Sequence, residues 1–251
     1  MNNDIEYKMV KPDASLSEFV ESFWTLTNHS ENAREIIVLP DGRVDIIFAY
    51  SATEPFGASL VGLESQPSKM MFSPGSTMFA VSLKLLAVEY ILDIDIPHLL
   101  NHGQHLLAGF WEITREDLSD FDTFCKKVST RLGALRKDNV DPRKQKLFEL
   151  IYTSKGSLTV KEMSEQVHWS SRQINRYFNQ LFGLSLKAYC NILRFRASFQ
   201  HIKEGKLFPE QNFTDQAHFI KEIKKFSGVL PKELSKNKDD RFIQFSTLTK
   251  K

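Results

Sequence analysis

Cysteine is scarce: Cys125 and Cys190 are the only two, far apart and in no C-x-x-C pattern. Two isolated thiols argue against a disulfide framework and a cysteine zinc site, and they fit a reducing cytoplasm. No apolar run approaches the ~18 residues that a membrane span needs. The opening Met-Asn-Asn-Asp-Ile-Glu lacks the basic and then apolar stretch of a secretion signal. A soluble, cytoplasmic protein with no membrane partner is expected. Phosphate-cradling glycine loops are missing, and Ser73-Pro74-Gly75-Ser76 reads as a turn. No G-x-S-x-G elbow organises the scattered Ser, His and Asp. His98 and His102 are four apart, with His105 following, so one helical face would present two imidazoles to a metal. Pro97 and Gly103 interrupt that helix, and no carboxylate has the matching spacing. No catalytic residue, metal site or cofactor is therefore assigned. What is present is globular in composition: 251 residues, 41% hydrophobic and 25% charged, room for two domains.

Charge is unevenly placed. Residues 1–140 carry 12 Lys and Arg against 20 Asp and Glu, a net −8, whereas residues 141–251 carry 21 against 11, a net +10. A basic half joined to an acidic one suggests that one half faces a polyanion. The polar stretch Lys137-Asp138-Asn139-Val140-Asp141-Pro142 marks the boundary, because Asp-Pro disfavours helix before it and allows one to start after it. The expected domains are 1–140 and 141–251.

In the acidic half, β-branched runs at 35–39 and 43–50 flank Pro40-Asp41-Gly42 and read as a hairpin. Residues 79–85 read as another strand. Phe121, Phe124, Cys125, Val128, Leu132 and Leu135 recur at helical spacing. The expected fold class is α+β: an antiparallel sheet or small barrel over residues 1–90, helices to about 136, then an all-α domain.

In the basic half, Val160, Met163, Ser164 and Val167 form one face of a short helix. His168-Trp169-Ser170 is a tight turn, with Ser170 placed to cap a helix over 171–182 that stops at Gly183. Ile174, Phe178 and Leu181 face inward. The opposite face offers Ser171, Arg172, Gln173, Asn175, Arg176 and Asn179, and residues 171–182 contain no Asp or Glu. Helix, short turn and polar-faced helix make a helix-turn-helix. Arg can donate two hydrogen bonds to guanine, and Asn or Gln can pair with adenine, in a major groove wide enough for a helix.

Shifting the chain by 45 residues lays Phe178 on Ile223, Leu181 on Phe226, Gly183 on Gly228, Leu184 on Val229, Lys187 on Lys232 and Tyr189 on Leu234. Matching apolar positions and a matching stop glycine imply two copies of one unit. The second polar face then holds Gln216, His218 and Lys221, with Lys224 and Lys225 towards phosphate. Residues 185–202 read as one long helix, whose Arg194 and Arg196 serve either structure or phosphate contact. Phe242, Ile243 and Phe245 in the tail would dock back on a domain.

These residues resemble a known family. Trp169-Ser170-Ser171-Arg172-Gln173-Ile174 through Gly183, then Arg194-Phe195-Arg196-Ala197, is similar to the first helix-turn-helix of AraC/XylS-family transcription regulators. Phe213-Thr214-Asp215-Gln216-Ala217-His218-Phe219 through Phe226-Ser227-Gly228-Val229-Leu230-Pro231 is similar to the second. Phe19–Trp24, Leu39–Asp45 and Leu60–Gly62 more weakly resemble an N-terminal domain found on some members. The resemblance implies a C-terminal domain that reads double-stranded DNA with two recognition helices. It also implies an N-terminal half that senses a small-molecule effector, forms a homodimer, or both. The chain departs from the family pattern at His168, where a turn glycine is usual, at Leu186 for proline, and at Leu207–Asn212, which is short and holds Pro209. Two other classes stay open on the residues alone: a nonspecific nucleic-acid-binding architectural protein, and a small-ligand or metal-binding protein with its chemistry in the N-terminal half.

Overall fold

The computed structural model describes residues 5–208, 213 and 215–248. Seven strands come first: β1 (Ile5–Val10), β2 (Val20–Asn28), β3 (Arg34–Val38), β4 (Val44–Tyr50), β5 (Gly57–Val61), β6 (Ser68–Phe72) and β7 (Thr77–Leu83). Helix α1 (Leu85–Tyr90), strand β8 (Gly103–His105) and helix α2 (Phe121–Leu135) complete the acidic half. A six-stranded antiparallel sheet runs β1-β2-β7-β4-β5-β8, and β3 pairs with β6 alone. The chain is thus mixed α and β, with an antiparallel sheet and many helices.

Alternation assigns the two faces of the large sheet. Val44, Ile46 and Phe48 of β4 point into the core, with Phe79, Val81 and Leu83 of β7. Phe48 and Phe79 meet Phe124 of α2 edge-on at 5.7 and 5.3 Å. The alternate residues, Asp45, Ile47 and Ala49 of β4 with Met78 and Ser82 of β7, face a cavity.

The expected hairpin does not form. β3 pairs with β6, whereas β4 lies between β7 and β5. Residues 39–43 cross from one sheet to the other, and their backbone groups bond to the helical half. Tyr189 Oη donates to the Gly42 carbonyl at 2.9 Å, and the Gln244 amide bonds both the Leu39 N–H and its carbonyl at 3.0 Å. The Pro-Asp-Gly turn is real, with Gly42 at φ +76°, but its partners lie some 150–200 residues on (|i−j| 147 and 205). The histidine run also departs from a helix: His98 sits on a single 3-10 turn, and His105 lies on β8, paired to β5.

The basic half is helical: α3 (Pro142–Thr153), α4 (Val160–Val167), α5 (Ser171–Phe182), α6 (Leu186–Ala197), α7 (Phe199–Lys203), α8 (Gln216–Ser227), α9 (Pro231–Lys236) and α10 (Ile243–Thr247). The single helix expected over 185–202 is divided at Ser198, whose hydroxyl bonds back to the Arg194 carbonyl at 2.9 Å. The expected boundary falls in the helix-free residues 136–141, while the apolar core runs continuously across it. Phe242 and Phe245 are fully buried, and Ile37 of β3 donates to the Arg241 carbonyl at 2.7 Å. The tail therefore docks on the strand half.

Candidate nucleic-acid interface and internal cavity

Reciprocal caps start both α4 and α5. Thr159 and Glu162 exchange bonds of 2.7 and 3.2 Å at the first, and Ser170 and Gln173 exchange bonds of 3.1 and 3.3 Å at the second. Between them His168 takes the left-handed conformation, φ 51° and ψ 40°, in place of a turn glycine. Ile174, Phe178 and Phe182 are the buried residues of α5, so Phe182 takes the inward place expected for Leu181. Its ring lies 5.1 Å from Phe178 and 6.1 Å from Phe148, while half-buried Leu181 accepts from Ile96 N at 2.9 Å.

On the outer face Arg172, Gln173, Arg176 and Asn179 are exposed, and Ser171 and Asn175 are half-buried. Several of these are already engaged. Gln173 serves the cap, Asn175 Nδ2 donates to the Ser171 carbonyl at 3.0 Å, and Asn179 Nδ2 donates to the Asn175 carbonyl at 2.7 Å. Arg172 and Arg176, one turn apart, make no hydrogen bond or ion pair among the described residues.

The 45-residue shift holds for the elements themselves. Caps fall at Ser170 and Asp215, helices at 171–182 and 216–227, and left-handed glycines at Gly183 and Gly228. The next helices begin at Leu186 and Pro231. On α8, Gln216, Ala217, Lys221, Lys224 and Lys225 are exposed and His218 is half-buried. Gln216 Nε2 donates to the Leu207 carbonyl at 2.7 Å, and His218 meets the Phe213 ring edge-on. Residues 205–208, where the counterpart of α4 would begin, are not helical. Pro209–Asn212 and Thr214 lie outside the described residues. Arg196 is turned towards the strand half, with Nη2 3.2 Å from Glu21 Oε1, and Arg194 bonds Asn191.

A cavity of about 920 Å³ lies between the large sheet, the β3–β6 pair, α6–α7 and α10. On its wall Glu21 gathers three cations: Lys11 at 2.9 Å, Arg43 at 3.1 Å and Arg196 at 3.2 Å. Burial by itself pushes the Glu21 carboxyl up, but Arg43, Arg196 and Lys11 outweigh it and hold it at about 2. Asp45 and Glu64 differ. Burial and the neighbouring Asp41 charge raise Asp45 to about 7, against hydrogen bonds from Ser82 and Trp24. Burial raises Glu64 to about 7, against a hydrogen bond from Ser68 and helped by Asp41 and Asp45. The signal for this site was charge inside strands: Asp45 interrupts the apolar run Val44–Tyr50 just after Arg43, and Glu21 interrupts the run Phe19–Trp24.

These shifts have a stability consequence. A carboxyl raised in the folded state holds a proton that the unfolded chain has released, so stability falls as pH climbs from about 5 to 8. Glu21, depressed, acts oppositely, but only below about pH 4.5. The melting temperature is expected to peak near pH 5 and to drop by several degrees at pH 8, reflecting about 2–4 kcal/mol. A flat calorimetric profile from pH 5 to 8 would show both carboxyls to be ordinary.

Together these features define a mixed α and β chain with two equivalently capped helices 45 residues apart and a sheet-walled cavity. The model of a domain of unknown function, DUF6597, matches residues 8–105. No curated protein matches the chain. Among solved structures it is similar to ToxT from Vibrio cholerae in a P21 crystal form, at 12% identity and TM-score 0.42, covering 91% of this chain and 96% of that one. Similar too is unsaturated fatty acid bound wild-type ToxT from the same organism, at 12% identity and TM-score 0.40, over 91% and 93%. ToxT bound to (E)-4-(8-methylnaphthalen-1-yl)but-3-enoic acid follows at 14% identity and TM-score 0.38, over 91% and 96%.

Proposed function

We propose that the chain is a sequence-specific transcription regulator of the AraC/XylS type, which reads the DNA major groove with α5 and α8 and takes a small-molecule effector in its cavity. One observation carries the reading. Two 12-residue helices, 45 residues apart and with equivalent caps, each present cationic and amide side chains to solvent. On α5 that face holds no carboxylate to oppose a polyanion. Arg172 and Arg176 are the first candidates for guanine, because the Asn175 and Asn179 amides must first leave the helix backbone. Lys221 and Ala217 are the α8 counterparts, with Ala217 limited to an apolar contact such as a thymine methyl. Lys224 and Lys225 stand one turn on, placed for phosphate.

The test is selection from a randomised duplex pool at near-physiological salt, where nonspecific contacts are screened. Two enriched elements about 10 base pairs apart are expected if both units read bases. No enrichment with the full chain, together with uniform affinity for all duplexes, would favour the architectural alternative. Arg176→Ala is expected to weaken the selected site by about 1–3 kcal/mol, roughly 5- to 150-fold, while leaving random-duplex affinity nearly unchanged. An unaltered specific-to-random ratio would remove Arg176 from base reading.

A further inference from the structure

The cavity holds a mismatch between cations and carboxylates. Lys11, Arg43 and Arg196 all bond one carboxylate, Glu21, whereas the other three acids of the wall, Asp41, Asp45 and Glu64, make no ion pair among the described residues. Asp45 and Glu64 have only neutral hydrogen-bond partners among the described residues, the Arg43 charge reaching Asp45 through space alone: Trp24 Nε1 donates to Ser82 Oγ at 3.0 Å, Ser82 Oγ donates to Asp45, and Ser68 Oγ donates to Glu64. Neither makes an ion pair among the described residues, and Glu64 Oε2 is buried with no hydrogen-bond partner. Asp41 adds a third negative charge, its Oδ1 accepting only from the Arg43 N–H at 3.0 Å. The other titratable group facing this cluster is Tyr7, whose phenol is raised by burial and so stays neutral.

A folded protein rarely keeps buried carboxylates without a counter-charge, because desolvation is costly unless something compensates. Here the compensation has room to come from outside, since about 920 Å³ suits an organic molecule of drug size. Among polar neighbours such as Ser22, Ser59 and Gln244, an apolar and adaptable set also lines the cavity: Met9, Trp24, Leu26, Ile36, Met70 and Met78. Methionines repack around varied shapes, and the Trp24 indole offers a face to a positive charge.

We propose that the cavity binds an organic cation with an apolar body, an amine or quaternary ammonium, held by Asp45 and Glu64. This deepens the effector role proposed above, yet its readout is ligand binding and needs no DNA. Ile243, Gln244 and Thr247 of α10 and Arg196 of α6 share the lining, so an occupant touches both halves of the chain.

The experiment is calorimetric titration of the full chain with decyltrimethylammonium and, separately, decanoate, both below their micelle concentrations. Saturable one-to-one binding of the ammonium is expected, tightening as pH rises from 5.5 to 8 because the cation favours ionised carboxylates. Asp45→Asn and Glu64→Gln are each expected to weaken it about tenfold, one charge-assisted contact apiece. Both amides remove a buried charge at constant shape, so the variants should fold, which their melting curves verify. Decanoate binding as tight as the ammonium would overturn the proposal and assign the cavity to anions through Lys11 and Arg196. So would no ammonium binding by folded protein, or full affinity in the double variant. Sequence selection on the same preparations reads DNA binding separately, so either proposal can fail alone.

Discussion

Glu21→Gln is expected to cost about 3–5 kcal/mol of folding stability, the range for removing one partner of a buried ion pair. The Arg43 side chain is only 5% exposed and pairs with no other carboxylate among the described residues, Asp41 acting on it through space and through the backbone N–H. A guanidinium cannot shed its proton to escape burial, as a lysine or carboxylate would. The neutral amide offers Arg43 and Arg196 a single oxygen and no charge, beside the Gly42 carbonyl at 3.4 Å and the Tyr152 ring at 5.2 Å. Arg196 on α6 loses its anchor in the same step, while Lys11, 62% exposed, contributes little. Urea unfolding at pH 7 measures the loss. Adding Arg43→Met should restore much of it, because an apolar side chain of similar volume needs no counter-ion. A single-variant cost under about 1 kcal/mol would mean that water reaches the guanidinium.

The duplication supplies a matched pair for the second expectation. Gly183 and Gly228 end equivalent helices at φ +79° and +77°, so alanine at either meets left-handed strain of about 1–2 kcal/mol. Their surroundings differ. At Gly228 an added methyl finds only Pro67 Cγ, at 3.8 Å. At Gly183 it would lie 2.9 Å from Pro97 Cα and 3.2 Å from the Pro97 carbonyl oxygen. That backbone is held by the bond from Ile96 N to the Leu181 carbonyl, so the clash cannot be relieved by a side-chain turn. Gly183→Ala should therefore cost about 2–5 kcal/mol, strain plus overpacking, against about 1–2 for Gly228→Ala. Equal losses in denaturant unfolding would show that the α5 end and the Pro97 turn part easily.

Local signals were legible where one short segment carries its own reasons. The cap at Ser170, the stop at Gly183 and the matching stop at Gly228 each lie within about a dozen residues of what they control. The strand half was less legible because its pairings are distant. Pro40-Asp41-Gly42 looks like a hairpin turn, yet its hydrogen bonds are completed by Tyr189 and Gln244, which no local pattern announces. Phe182 displaced Leu181 from the inward row because an aromatic cluster with Phe148 and Phe178 was available to it. Arg196 looked as suited to phosphate as to structure until Glu21 appeared opposite it. The cavity itself was written only as charges in apolar strands.

The docking of α10 on β3 has a consequence in time. Leu39 and Gln244, which close that contact, are 205 residues apart in the chain. At translation rates of roughly 5–20 residues per second, the second follows the first by roughly 10–40 s. During synthesis the strands around the cavity are complete while one wall has yet to be made. The α10 wall, with Phe242 and Phe245 as its buried anchors, is therefore laid last, on a strand half already made.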